Sequence, residues 1–349
     1  MTGKERFHAI INGGSDHAGF WHGDPNPASI ERVYSYFRVK DDFELGLKLG
    51  SSCRWVMPEK NKCWTHPDLP MFDFLGGKER SSLGVPGVFA EVRDVAEIES
   101  FHWPEMKYVD FSKTLAEIDR TVAAGQAIVS GCWCSFYHVT SNFFGMENYF
   151  MKMHTDPALV DAVTRHVVDF YLEMNETLFS LAGDKIDAFF FGNDFGSQQD
   201  LLISPGHFDR FVMPYFREFI SQAHRHGYRV ALHSCGSIDR VINRLIDSGV
   251  DILHPIQAMA KNMDAESLAK KYKGKIVFMG GVDTQRILPF GSAENVRAEV
   301  RRLKKTFGPN FIVSPSHESI LPNVSPENIA AMAEAAAETS MESAAEALS

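Results

Sequence analysis

The feature of this sequence that most limits its fold is a unit repeated along its length: a short apolar, β-rich run ending in polar or small residues, then a helical segment. Eight such runs can be placed, near residues 16–22, 51–57, 126–132, 187–193, 228–235, 250–256, 275–281 and 310–316. The last five are the clearest, since their continuous apolar runs suit strands buried on both faces. Helical patterns separate them. Pro157 to Leu181 reads as a long helix, with Asp156 as N-cap and Pro157 at the first helical position. A second opens at Ser204-Pro205 and runs to about His226, where Gly227 stops it. Ser237 to Asp247, Asp264 to Tyr272 and Ser292 to Phe307 end at Gly249, Gly274 and Gly308. Ser325-Pro326 starts the last helix, whose Ala-rich tail is expected to fray beyond about Ala336.

Alternation of this kind is the signature of an α/β fold with a parallel sheet. Eight units predict closure into a (β/α)₈ TIM barrel, with residues 1–349 forming a single domain. A doubly wound open sheet is the alternative, but no G-x-G-x-x-G follows the first strand. The stretch 58–112 is irregular and rich in Gly and Pro, and is expected to be an insertion covering the barrel mouth.

Composition narrows the function classes. The 35 basic and 45 acidic residues give a formal net charge of −10, which speaks against a nucleic-acid partner. The five scattered cysteines do not make a secreted disulfide framework and fit a reducing cytoplasm. The N-terminal segment Met1 to Phe7 lacks the apolar core of a signal peptide, and no run is long enough to span a bilayer, so neither secretion nor a membrane is expected.

In a barrel the C-terminal ends of the strands gather at one mouth, where substrates bind. Five consecutive strand ends here carry polar groups: Asn193-Asp194, His233-Ser234-Cys235-Gly236, His254-Pro255-Ile256-Gln257, Gly281-Val282-Asp283-Thr284 and Ser316-His317-Glu318. His233 and Cys235 are two apart on a strand and so share a face. Imidazole and thiolate both suit zinc, and His317 supplies a third ligand, leaving one position open as in catalytic zinc sites. Asp194, Gln257, Asp283 and Glu318 are candidates for substrate-binding, supporting or additional ligand roles. Cys132-Trp133-Cys134 is a rival pair on one face, read more simply as two buried free thiols, because a disulfide at this spacing would be strained. His22 and His138 follow strand ends and are candidates to line the pocket.

Over nearly its whole length the chain resembles the uroporphyrinogen decarboxylase-like superfamily. The matching stretches are Gly192-Asn-Asp-Phe-Gly196 with Leu202-Ile-Ser-Pro205, Leu232-His-Ser-Cys-Gly-Ser237, Gly249-Val-Asp-Ile-Leu-His-Pro-Ile-Gln257, Gly280-Gly-Val-Asp-Thr284 and Ser314-Pro-Ser-His317. The superfamily holds porphyrinogen decarboxylases and zinc-dependent, corrinoid-linked methyltransferases, including methylcobamide:coenzyme M methyltransferases. The decarboxylases carry Arg-Gln-Ala-Gly-Arg-Tyr near the N-terminus for substrate carboxylates, whereas this chain reads Gly19-Phe-Trp-His-Gly-Asp24. His233 and Cys235 match the H-x-C zinc motif of the methyltransferases. His317 departs from the best-known coenzyme M enzymes, which have Cys at that position. The resemblance therefore implies Zn2+ on His233, Cys235 and His317, with Asp194, Gln257 and Asp283 in catalytic roles and His22, Asn193 and Glu318 toward the cofactor. It implies a corrinoid (methylcobamide) as co-substrate, delivered by a corrinoid-binding protein, and a small-molecule methyl donor or acceptor. A homodimer is admitted. The competing expectations are a metal-free decarboxylase or lyase acting on a small carboxylated substrate, and a barrel that binds a corrinoid or methylated ligand without turnover.

Overall fold

The computed structural model of the chain describes residues 1–77 and 85–339. Eight parallel strands form the barrel: β1 (Gly19–Phe20), β2 (Cys53–Val56), β3 (Ala127–Ser130), β4 (Ala188–Gly192), β5 (Arg229–His233), β6 (Ile252–Ile256), β7 (Val277–Val282) and β8 (Phe311–Pro315). From β2 to β8 each pairs with its sequence neighbour, and β8 returns to pair with β1. No ladder joins β1 to β2. Instead the Ser52 amide donates to the Phe20 carbonyl at 2.7 Å, and the Phe20 amide donates to Ser52 Oγ at 3.2 Å, which ties the seam. The α/β (β/α)₈ TIM barrel is thus the fold of this chain, and each strand falls inside its expected run except β7, which ends one residue beyond it at Val282.

Period-two alternation sorts each strand into two layers. Cys53, Ala127, Val129, Ala188, Phe190, Ala231, Ile252, Val277, Met279 and Ile312 fill the inside of the barrel. Their alternating neighbours, such as Ile128, Phe189, Phe191, Val230, Leu232 and Leu253, pack outward against the helices. Helix Gly3–Ile11 plugs the barrel end opposite the mouth with Phe7 and Ile10. It is pinned there by Lys4 and His8 Nε2, which meet Asp187 Oδ1 at 3.1 and 2.6 Å.

Four helices start where the sequence places them. Ser204, Asp264, Ser292 and Ser325 each accept a backbone N–H three residues on. Three details differ from expectation, the first being that the helix expected over Ser237 to Asp247 begins only at Ile242, after a 3-10 turn at Asp239–Val241. Asp156 precedes Pro157–Ala182 without capping it, because its carboxylate accepts from Thr155 Oγ1 at 2.7 Å instead. The segment expected as one helix from Ser204 is two, Pro205–Phe211 and Met213–Arg225, broken at Val212. Pro214 explains the break, since its ring and missing N–H cannot continue the first helix.

The stretch 58–112 leaves the mouth end of β2, where Glu59 accepts the Trp133 amide at 2.9 Å. Its described part carries a short helix, Val95–Glu99. It is anchored on the outer layer by aromatic pairs: Phe72 with Phe170 and Tyr171, Phe89 with Phe143, and Trp103 stacked on His166. Residues 78–84 of this stretch, and the tail from 340 onward, lie outside the described residues. No described helix is long and apolar enough to cross a membrane.

Candidate metal centre at the barrel mouth

β5 delivers His233 and Cys235 to the mouth on the inner face, continuing the phase set by Ala231. Gly236 then turns the chain with φ +87° at a point where it touches Gly196: a Cβ on Gly236 would lie 2.1 Å from the Gly196 carbonyl oxygen. That crossing explains why two of the quoted motifs carry glycine at these positions. It also brings Asp194, at the end of β4, alongside β5.

The contacts are short and mutual. Cys235 Sγ lies 3.5 Å from His233 Nε2, and the same nitrogen lies 3.3 Å from Asp194 Oδ1 and 3.8 Å from Glu318 Oε2. Asp194 Oδ1 accepts the Cys235 amide at 2.8 Å. Gln257 Oε1 accepts the Gly236 amide, fixing the turn from the β6 side. His317 Nδ1 lies 3.4 Å from Glu318 Oε2 and accepts the Ser319 amide at 3.1 Å. The short parallel pair Asp24–Pro25 and Ser319–Ile320 holds that loop at the mouth. Two groups of candidate ligand atoms close within 4.8 Å among the described residues, and they share Cys235: Asp194 with His233 and Cys235, and Cys235 with His317 and Glu318.

The electrostatics are those of a site short of positive charge. Burial pushes the Cys235 thiol far above its usual range, and the carboxylates of Asp194 and Glu318 push it further. Burial also opposes ionisation of Asp194, but the hydrogen bond and charge of His233, with the Cys235 amide, outweigh it and hold this carboxyl well below its usual value. Glu318 Oε2 is buried without a hydrogen-bond partner. A buried carboxylate oxygen left without a hydrogen bond is costly, and a cation among these groups would relieve both the carboxylates and the thiol.

A model of the uroporphyrinogen decarboxylase (URO-D) family matches residues 79–339. The chain belongs to the URO-D family. No curated protein matches the sequence. Among solved structures, a methyltransferase from Methanosarcina mazei superposes with a TM-score of 0.63 at 16% identity, covering 96% of this chain and 98% of that one. At that identity the likeness speaks for the shared barrel.

In this URO-D family member the structure brings together Asp194, His233, Cys235, His317 and Glu318, with Gln257 supporting their loop. It does not bring His22, Asn193 or Asp283 into either group. His22 is buried with both ring nitrogens engaged, by Ser51 Oγ at 2.9 Å and Asp42 Oδ1 at 2.8 Å. Asn193 bridges backbone, accepting from the Tyr137 amide and donating to the Cys134 carbonyl. Asp283 Oδ1 accepts the Gln285 amide and shapes its own turn. His138 feels both Asp194 and His233, though burial is the main reason its pKa is lowered.

Residue-by-residue reading of the sequence gave no role to two side chains that touch His233. His254 Nδ1 lies 3.0 Å from His233 Nδ1 on the paired strand. Trp133 packs its ring 5.1 Å from the His233 ring. Both were findable. Parallel pairing of β5 with β6 puts His254 beside His233, and two outward cysteines at 132 and 134 oblige Trp133 to point inward.

Proposed function

We propose that this URO-D family member is a methyltransferase. It moves a methyl group between a corrinoid carried by a partner protein and a thiol or other soft acceptor, with zinc as its resident metal. The observation that carries this reading is the convergence of His233 Nε2 and Cys235 Sγ with a second imidazole and two carboxylates at the mouth. The donor set suits zinc: one sulfur, two imidazoles and a carboxylate oxygen, Glu318 Oε2, that is buried without a hydrogen bond. His233, Cys235 and His317 would hold the metal, with Glu318 beside them. When bound, zinc would supply the positive charge that keeps an acceptor thiol ionised near neutral pH.

The chain's own residues do the rest. Asp194, bonded to the Cys235 amide and close to His233, fixes the spacing of the two β5 donors. Trp133 packs against His233, with Phe190 behind Trp133, and this aromatic surface helps keep His233 buried from water. His317, with its side chain 42% exposed, leaves the cluster open toward solvent, where an acceptor and a bulky corrinoid carrier can arrive. The fold likeness to the M. mazei methyltransferase and the absence of arginine from residues 19–24 both favour methyl transfer over decarboxylation of a polycarboxylate.

The test mixes zinc-loaded protein with methylcobalamin and a panel of thiols, then repeats the assay with a cognate corrinoid protein, following the cobalt spectrum. Demethylation of the corrinoid supports the reading. No spectral change under either condition overturns it, and turnover of a small carboxylated substrate by metal-free protein would put the decarboxylase reading in its place.

A further inference from the structure

One buried polar side chain near the mouth lies outside both groups of candidate ligand atoms. His254 sits on β6 opposite His233, in parallel register with it, and is fully buried. Its Nδ1 faces His233 Nδ1 at 3.0 Å, while its Nε2 has no hydrogen-bond partner. Around it stand Trp21, with ring centroids 5.3 Å away at 68°, and Phe190, 5.4 Å away at 81°. Both are edge-to-face arrangements.

Two imidazole nitrogens at 3.0 Å can share only one proton, so one ring donates and the other accepts. The two polarities differ in what they leave at His233 Nε2. If His254 donates, a neutral His233 carries its proton on Nε2, and that nitrogen cannot act as a ligand. If His233 donates through Nδ1–H, its Nε2 is left to face Asp194, Cys235 and Glu318, where a metal would sit, and His254 keeps its own proton on Nε2. The surroundings of His254 favour the second arrangement. Trp21 and Phe190 both stand edge-to-face with His254, and where a ring face meets Nε2 it offers a weak acceptor to an N–H and only repulsion to a lone pair.

We propose that His254 is a positioning residue: it accepts the His233 Nδ1 proton and so holds His233 in the tautomer whose Nε2 can bind the metal. This rests on the zinc reading of the site. Ligand histidines generally depend on such a partner for tautomer and ring orientation, and its loss typically weakens metal binding about 10–100-fold. His254 is unusual for this role in being a second imidazole, sealed from water by an aromatic floor.

The test uses full-length protein with ¹⁵N-histidine labelling. In both metal-free and zinc-loaded wild type, the proton between the rings is expected on His233 Nδ1, with nitrogen–nitrogen coupling across the bond to His254 Nδ1. Zinc affinity is then compared in His254→Phe, which keeps a ring but removes the acceptor, and in His254→Asn, whose Oδ1 can accept from the same direction. His254→Phe should bind zinc about 10–100-fold more weakly, with an altered absorption spectrum when loaded with cobalt(II), and His254→Asn should recover most of that loss. A proton on His254 Nδ1 in metal-free wild type overturns the inference, even if the phenylalanine variant fails to fold. So does a folded His254→Phe variant with unchanged zinc affinity and cobalt spectrum. Failure of the zinc reading itself is separate and visible first, because wild type would then bind no zinc at all.

Discussion

Two strand ends in this barrel carry a pair of soft donors two residues apart, and only one of them opens on the mouth. At the end of β5, His233 and Cys235 continue the inward phase of Ala231, and Ser234 points outward, where its Oγ accepts the Phe195 amide. Beyond β3, Cys132 and Cys134 join the outer packing layer, and Trp133 between them turns inward. The outer pair is fully buried. Asn175, on helix Pro157–Ala182, accepts the Cys132 amide and donates to Cys134 Sγ. Both thiols are free, and burial holds both well above the ordinary thiol range. A shared face is set by spacing, but which face is set by strand phase. Phase therefore separates a candidate metal centre from two inert thiols that no spacing rule distinguishes.

The contrast breaks most sharply on metal content. Cys235→Ala should remain folded and lose its zinc, whereas Cys132→Ala and Cys134→Ala should keep close to one zinc per chain. Elemental analysis of the three purified variants decides this, and equal metal in all three would refute the assignment of roles. Asp194→Asn should have a smaller effect than removal of a ligand. It keeps an acceptor for the Cys235 amide but removes the charge beside His233, so zinc affinity should fall about 10–100-fold in a competition titration with a chelator.

Much of this contrast is legible in the sequence, and the rest is lost for identifiable reasons. The eight strands announce themselves because their apolar runs are bounded by polar residues. The β5 phase also follows from sequence, since Val230-Ala231-Leu232 precedes His233 without interruption. The β3 phase follows too, since Ala127 and Val129 point inward and Ile128 outward, and the same alternation carried past Gly131 puts Cys132 and Cys134 outward and Trp133 inward. His22, Asn193 and Asp283 look like site residues for the same reason as His233, namely their place at a strand end. Whether such a polar group faces a ligand or a neighbouring backbone depends on loop partners distant in sequence. Ser51 and Asp42 take up His22, and the 134–137 turn takes up Asn193.

The outer pair should reveal itself through stability. Asn175→Ala leaves the buried Cys132 amide without an acceptor, a loss of about 1–3 kcal/mol. The denaturation midpoint should fall accordingly, with zinc content unchanged. A variant as stable as wild type would mean that the loop finds another partner for this amide, and that Asn175 does not hold the thiols in place.

An effect visible only as a dependence on pH concerns Glu59, which lies behind Trp133 on the same outer side as the thiols. Its Oε1 accepts the Trp133 amide, its Oε2 is buried without a partner, and burial pushes its pKa from the usual 4.5 up to about 7. The sign of the pH dependence follows from proton binding. Below about pH 4.5 the carboxyl is protonated in folded and unfolded chains alike, and contributes no difference. Between about 4.5 and 7 the unfolded chain releases this proton while the folded one retains it, so stability declines as pH rises. Above about 7 both are ionised and the decline stops. Glu59→Gln removes this titration and leaves the other groups in place. The stability of wild type minus that of Glu59→Gln should therefore fall by at most about 1.4 kcal/mol per pH unit across that window, and then level off. Unfolding in denaturant at a series of pH values measures the difference directly. A flat difference would show that Glu59 is ionised in the folded protein at the lower end of the window. Trp133 would then be held by a carboxylate, and the outer side of the mouth would carry a buried negative charge as the inner side does.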